Sequence, residues 1–284
     1  MERSLVKPVI NYLHMKDAEE NTAKVRELFQ RSTEEVELRG ILGITSYRQV
    51  FDSLLDVQKK RLNELVESKH SQLMLDGNII SFAYVYPDGV IDNIGNMKDG
   101  VFDKQSWNIY ANWYTYLNNS LDATSKKMAK TFDGVPITAT TTGMAPKINH
   151  VSEYFPTVVS HRVHAENAGI GWRGKNSLIV NPRYSCMIRL SGVITETPLI
   201  KTNKLLEDCG DCTSCEEACT YLMNRDRLED YREQCRVYLD NLGLHEEVCG
   251  KCVKACVHSP RLTKPSTEPK DQRLNQVYYT QLYD

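Results

Sequence analysis

Apolar positions Val25, Leu28 and Phe29 recur at helical spacing inside residues 16–38, a stretch otherwise rich in Glu, Lys and Arg. That pattern predicts a solvated amphipathic helix. A short apolar run at 41–45 predicts a first strand. Val50, Leu54, Leu55, Val57, Leu62 and Leu65, mostly three or four apart, predict one helix over 50–66. Asp76-Gly77 marks a turn, and 78–86 reads as a strand. Residues 87–104 lack a clear period and read as loop. Ile109, Trp113, Tyr116, Leu117, Leu121 and Met128 put a helix over 107–131, with its aromatics in the core and cleft walls. A strand is expected over 134–142, and 151–168 is expected to be mostly helix after Pro156. His161 and His164, three apart, could share a face there; a solvated or hydrogen-bonded pair is the simpler expectation, metal ligation the bolder one. Residues 178–180 and 186–195 read as two strands, and 221–243 as charged helix. The tail, 261–284, reads as an extended arm ending in a short segment packed through Tyr278 and Tyr279.

The 284 residues suffice for one large domain, or a core plus a small module. A hydrophobic fraction of 41% and a charged fraction of 25% are ordinary for a globular protein. No long apolar run suggests a membrane span, and the first residues lack a signal-peptide core, so a cytoplasmic protein is expected. The net charge of −2 offers no basic field for nucleic acid.

The chemistry concentrates near the C-terminus. Cys209, Cys212, Cys215 and Cys219 form C-x2-C-x2-C-x3-C; Cys235 stands alone; Cys249, Cys252 and Cys256 form C-x2-C-x3-C. The first spacing is that of bacterial ferredoxins, in which the fourth Cys ligates the other cluster. Eight thiolates are the number two [4Fe-4S] cubanes need. The expected assignment is Cys209, Cys212, Cys215 and Cys256 to one cluster, and Cys219, Cys235, Cys249 and Cys252 to the other. Zinc also uses C-x2-C pairs, but a third Cys two residues on crowds a tetrahedral ion. Disulfides need an oxidising compartment. Cys186, the ninth cysteine, reads as a buried structural thiol rather than a catalytic one.

Gly171, Trp172, Gly174, Lys175 and Asn176 form a glycine-rich stretch that could let backbone approach a ligand. It departs from G-x-x-x-x-G-K-[ST], which disfavours a nucleotide P-loop. Residues 165–176, AENAGIGWRGKN, resemble A-E-x-A-G-[LI]-G-W-x-G-K-[NH] of the epoxyqueuosine reductase family. Residues 184–198 resemble its strand pair ending in T-[DE]-x-P-L, and the order of the Cys runs also matches. The likeness covers roughly residues 40–260. It implies an α+β fold: an α/β sandwich core of corrinoid- and flavin-reductase-like type over 1–198, a ferredoxin-like double-cluster domain over 199–262, and a tail over 263–284. It further implies an oxidoreductase that passes electrons through two clusters to a cobamide (cobalamin) or to substrate. Gly171, Trp172, Gly174, Lys175 and Asn176 would then contact the cofactor, and a ferredoxin- or flavodoxin-type protein would be the low-potential donor. Phe155 stands in register with the family's acidic proton donor, and no catalytic residue is assigned. Phe155 and the mild negative charge weigh against a tRNA substrate. The alternative is an electron-transfer or activator protein that reduces a partner's centre and has no substrate of its own.

Overall fold

The computed structural model describes residues 3–139, 147–260 and 277–279, with residues 3–14 and 277–279 by backbone alone. In chain order the elements are α1 (Arg3–Glu35), β1 (Gly40–Ser46), α2 (Tyr47–Asp52), α3 (Asp56–Val66), α4 (His70–Asp76) and β2 (Asn78–Val85). A small hairpin, β3 (Met97–Lys98) and β4 (Val101–Phe102), leads into α5 (Lys104–Thr131) and β5 (Val135–Ile137). Then come α6 (His161–Asn167), the hairpin β6 (Trp172–Arg173) and β7 (Ile179–Val180), and β8 (Ile188–Thr195). The cysteine-rich part holds α7 (Ser214–Glu217), α8 (Thr220–Met223), α9 (Tyr231–Leu242) and α10 (Lys251–Val257), and β9 (Val277–Tyr279) follows. Among the described residues no helix is long and apolar enough to cross a membrane.

The main sheet runs β5-β8-β2-β1-β9, antiparallel except where β9 joins β1. Strand β2 lies at its centre and all eight of its residues are buried. Its two faces go to different layers because side chains alternate along a strand. Ile80, Phe82 and Tyr84 meet Phe29 of α1 and Leu117 and Leu121 of α5. Ala83 and Val85 pack with Ala165 of α6, and Ile79 packs with Val50 of α2 and Val163 of α6. The sheet therefore sits between two helical layers. The Phe29 ring lies 5.4 Å from Phe82 and 5.9 Å from Tyr84, centroid to centroid, which docks α1. Burying one such ring stabilises by about 1.5–3 kcal/mol.

Three sequence expectations need correction. The single helix over 50–66 is two, α2 and α3. Leu54 turns into the core while Leu55 stays exposed, and the Ser53 hydroxyl donates to the Gln49 carbonyl at 2.7 Å, closing the last turn of α2. The helix expected over 151–168 is confined to α6. Short 3-10 turns at Val151–Glu153 and Phe155–Thr157 precede it, and Val158 is extended at φ −131°, ψ 150°. Adjacent β-branched Val158 and Val159 favour that extended link. The strand expected over 134–142 is seen as β5; residues 140–142, like the arm at 261–276, lie outside the described residues.

The cysteine-rich part is not tethered at a distance. Leu242, Val248 and Val253 belong to the same apolar core as β2 and α5. The Trp107 indole donates to the Cys249 carbonyl at 2.8 Å, and Lys254 Nζ donates to the carbonyls of Asp92 and Ile94, each at 2.8 Å. Gly250, at φ 76°, caps α10 in a backbone region where other residues are strained.

Candidate functional site

The seven cysteines of the two runs and the isolated Cys235 fall into two neighbourhoods. Burial pushes the Cys215 thiol up to about 11, and the nearby charges of Cys256, Glu216, Cys209 and Cys212 push the same way. Burial also pushes Cys235 up to about 11, with Cys249 and Cys219 as its charged neighbours. Cys252 is raised by burial first, then by Cys249, Cys235 and Cys219, with Cys215 last. These influences run mainly among Cys215, Cys256, Cys209 and Cys212 on one side and Cys252, Cys249, Cys235 and Cys219 on the other. Burial raises Cys215, Cys235, Cys249 and Cys252, whereas Cys212 and Cys256 are lowered, and each thiol loses its proton when a metal binds. Among the described residues no three His, Cys, Asp or Glu side chains converge on a single ion. A cubane asks for no such convergence, since each thiolate binds a different iron. The donor set therefore fits two cubanes.

Around these groups, Cys212 Sγ lies 3.2 Å from the buried Ser259 hydroxyl, which lowers its pKa. Cys209, Cys249, Cys252 and Cys256 all abut the common core. Cys186 is the residue that sequence reasoning underrated. It is buried, as expected, but its interaction with Cys256 holds the Cys256 thiol at about 6 while Cys186 keeps its own proton far above the ordinary range. The Asn176 amide donates to Cys186 Sγ at 3.6 Å.

Cys186 also lines a cavity of about 250 Å³ between the sheet and α10. Tyr86 and Arg189 enter it from the sheet region, Tyr110 from α5, Phe155 and His161 from the α6 approach, and Val253 from α10. A hydrogen-bonded chain ends there. Ser81 Oγ is 2.7 Å from His164 Nδ1, and His164 Nε2 is 3.1 Å from His161 Nδ1. Burial, and then the Arg189 charge, push His161 down to about 4; burial and His161 push His164 down further. The pair is neutral near pH 7 and is the hydrogen-bonded pair the simpler expectation described. Among the described residues no Asp or Glu lines the cavity, and Phe155 is on its wall.

The glycine-rich stretch behaves differently from expectation. Gly171, Trp172, Gly174, Lys175 and Asn176 do not line the cavity. A Cβ on Gly171 would meet the Val180 carbonyl oxygen at 2.3 Å, and one on Gly174 would meet Val180 Cγ2 at 2.7 Å, so both glycines serve the β6–β7 hairpin. Asn176 Oδ1 accepts from the Leu178 amide, and the Lys175 carbonyl accepts from Arg225. The Trp172 indole is buried with no hydrogen-bond partner among the described residues. None of these five residues reaches the cavity, whose volume lies below the usual range of about 300–1,000 Å³ for drug-sized ligands.

Comparison with known proteins points one way. No family model matches the chain. An epoxyqueuosine reductase of Listeria monocytogenes is 26% identical over 236 residues, which is 73% of this chain and 58% of that protein. One from Cyclobacterium marinum is 41% identical over 83 residues, 28% of this chain and 26% of that protein. The chain thus spans little more than half of the Listeria relative at most. Among solved structures, epoxyqueuosine reductase from Streptococcus thermophilus is 19% identical with a TM-score of 0.46, covering 87% of this chain and 69% of that one. Another, solved with an epoxyqueuosine-modified tRNA stem loop, is 21% identical with a TM-score of 0.38, covering 69% and 52%.

Proposed function

We propose, for a chain that is a divergent relative of the epoxyqueuosine reductases, an iron–sulfur oxidoreductase that reduces a substrate held in the cavity. Cys209, Cys212, Cys215 and Cys256 would hold one [4Fe-4S] cluster, and Cys219, Cys235, Cys249 and Cys252 the other. The domain division is proposed as 1–198, 199–262 and 263–284. When bound, clusters of this type supply single electrons, at potentials set by their hydrogen bonds and solvent exposure. The donor proposed is a low-potential ferredoxin- or flavodoxin-type protein.

The observation that supports this reading is that Cys186 lines the cavity and is also the first influence on the Cys256 thiol. On that basis the substrate space would adjoin the first cysteine group. The chain's own residues then have three tasks. Val253 and Phe155 keep water from the cavity. Arg189 and Tyr86 bind and orient what enters. His161, neutral and backed by His164 and Ser81, lies on the cavity wall at the end of that hydrogen-bonded chain. Among the described residues no carboxyl lines the wall, and His161 or Tyr110 is the proposed proton donor to substrate. Gly171, Trp172, Gly174, Lys175 and Asn176, the loop residues expected to contact a cobamide, lie off this cavity. The activator alternative is less favoured, since a carrier without substrate needs no lined cavity beside a cluster ligand.

Anaerobic reconstitution tests the proposal. The expected result is about eight irons and eight sulfides per chain, with signals of two interacting clusters by electron paramagnetic resonance after reduction. Stoichiometric zinc without acid-labile sulfide would overturn it.

A further inference from the structure

We infer that the cavity is a binding site for a small molecule bearing an oxyanion, a carboxylate or a phosphate, and that Arg189 and Tyr86 recognise it. Three observations carry this. First, the charged and titratable side chains on the wall are basic or neutral: among the described residues Arg162, Arg189 and His161 are there, and no Asp or Glu is. Second, Arg189 is only partly used by the protein. Its Nε donates to Asn118 Oδ1 at 2.9 Å, and its guanidinium lies 4.1 Å from the Tyr114 ring centroid. Among the described residues it has no carboxylate partner, so its terminal nitrogens remain for a ligand. Arg162 likewise has no ion pair among them and gives one hydrogen bond to the Ser177 carbonyl at 2.8 Å. Third, the Tyr86 hydroxyl is buried with no hydrogen-bond partner among the described residues, at a residue that lines the cavity. The neighbouring Tyr110 ring stacks on Tyr86 with centroids 5.1 Å apart, and its hydroxyl is the protein group that interacts with the Tyr86 hydroxyl.

A buried cation is costly unless paired, and a buried hydroxyl is costly unless bonded. An oxyanion in the cavity relieves both at once. Its charge meets the fork of Arg189, which matches a carboxylate or phosphate bidentately. One of its oxygens accepts from Tyr86. Neutral His161 adds a donor without adding charge. A cationic ligand of the same size would meet the arginine field with no counter-charge. As a binding site this rests on the cavity alone; as a substrate class it rests on the oxidoreductase reading above.

The test is isothermal titration of the reconstituted protein with benzoate, inorganic phosphate and benzamidine, with iron content measured on the same samples. Saturable binding of benzoate or phosphate, and none of benzamidine, is expected; which anion binds decides between carboxylate and phosphate. Arg189→Gln should weaken the anion by about 10- to 100-fold, the loss of a charge-assisted hydrogen bond. Tyr86→Phe, which keeps the ring and its packing, should weaken it by about 2- to 10-fold. Should Arg189→Gln fail to fold, Tyr86→Phe still decides. Binding of benzamidine as strong as benzoate, no binding of either anion, or anion binding unmoved by both variants overturns the inference. Iron content reports on the cluster reading separately, so either can fail alone.

Discussion

Replacing Gly250 by alanine should damage the protein more than the same change at the left-handed glycines Gly89, Gly95, Gly100 or Gly243. Gly250 has φ +76°, and an added Cβ would lie 2.7 Å from both Ile94 Cδ1 and Tyr110 Cε1. The left-handed backbone alone costs a non-glycine residue about 1–2 kcal/mol. Overpacking against a fixed ring and an aliphatic tip adds about 1–3 kcal/mol. The sum, about 2–5 kcal/mol, is a large share of the roughly 5–15 kcal/mol that holds a typical domain together. Gly89 supplies the control: its φ is +81°, and nothing lies within 4 Å of an added Cβ. Gly89→Ala should therefore show the backbone cost alone, about 1–2 kcal/mol. With a urea slope of about 3 kcal/mol/M, the Gly250→Ala midpoint should fall by roughly 1 M and that of Gly89→Ala by roughly half as much or less. Gly250 also sits between Cys249 and Cys252, so Gly250→Ala should lower iron content and Gly89→Ala should not. Equal midpoint shifts for the two variants would refute the packing argument.

Cys235→Ser should lose or convert one cluster while Cys186→Ser keeps full iron; equal iron losses would show that the eighth ligand is wrongly chosen. The chain should turn over epoxyqueuosine in tRNA weakly or not at all, since Phe155 replaces an acid and a missing general acid costs about 10²–10⁴-fold. Anaerobic turnover with cobalamin and a strong reductant checks this: robust conversion refutes it, and a Phe155→Asp variant that gains activity supports the mechanism. His161, faced by Arg189, Arg162 and His164, has its folded pKa lowered from 6.5 to about 4. The unfolded chain then binds the extra proton, so stability should fall as pH drops from about 6.5 toward 4. His161→Gln should flatten that part of the stability profile, and an unchanged slope would place the effect elsewhere.

How much of this was legible beforehand depends on the range of the interaction. Strand β2 and helix α5 announce themselves because burial on a regular element repeats locally. The break at Ser53–Leu55 carries no Pro or Gly, so only the core position of Leu54 reveals it. The late start of α6 follows from where Val158 and Val159 pack, which periodicity does not encode. The cysteine runs themselves are legible because ligand spacing is a local constraint. The cavity was not: Tyr86, Tyr110, His161, Arg189 and Val253 lie far apart in the chain, and only the tertiary fold brings them together. Cys186 was read by its burial alone, whereas its neighbour Cys256 lies seventy residues on. The glycine-rich stretch misled in the opposite sense, since close backbone approach to Val180 uses glycine as readily as a ligand does.

Val253 stands both in the common core and on the cavity wall, one turn from Cys256 on the same short helix. That double membership makes the order of maturation matter. On the cluster reading, a newly made chain that has not received its iron would leave Cys252 and Cys256 of α10 unligated, and with them the helix that forms one side of the room where ligand would sit. Metal insertion and the ripening of the binding room are then one event rather than two. In a partly loaded population, the fraction of chains able to take up ligand should track the fraction carrying iron, so that starving cells of iron withdraws whole active molecules instead of leaving many impaired ones.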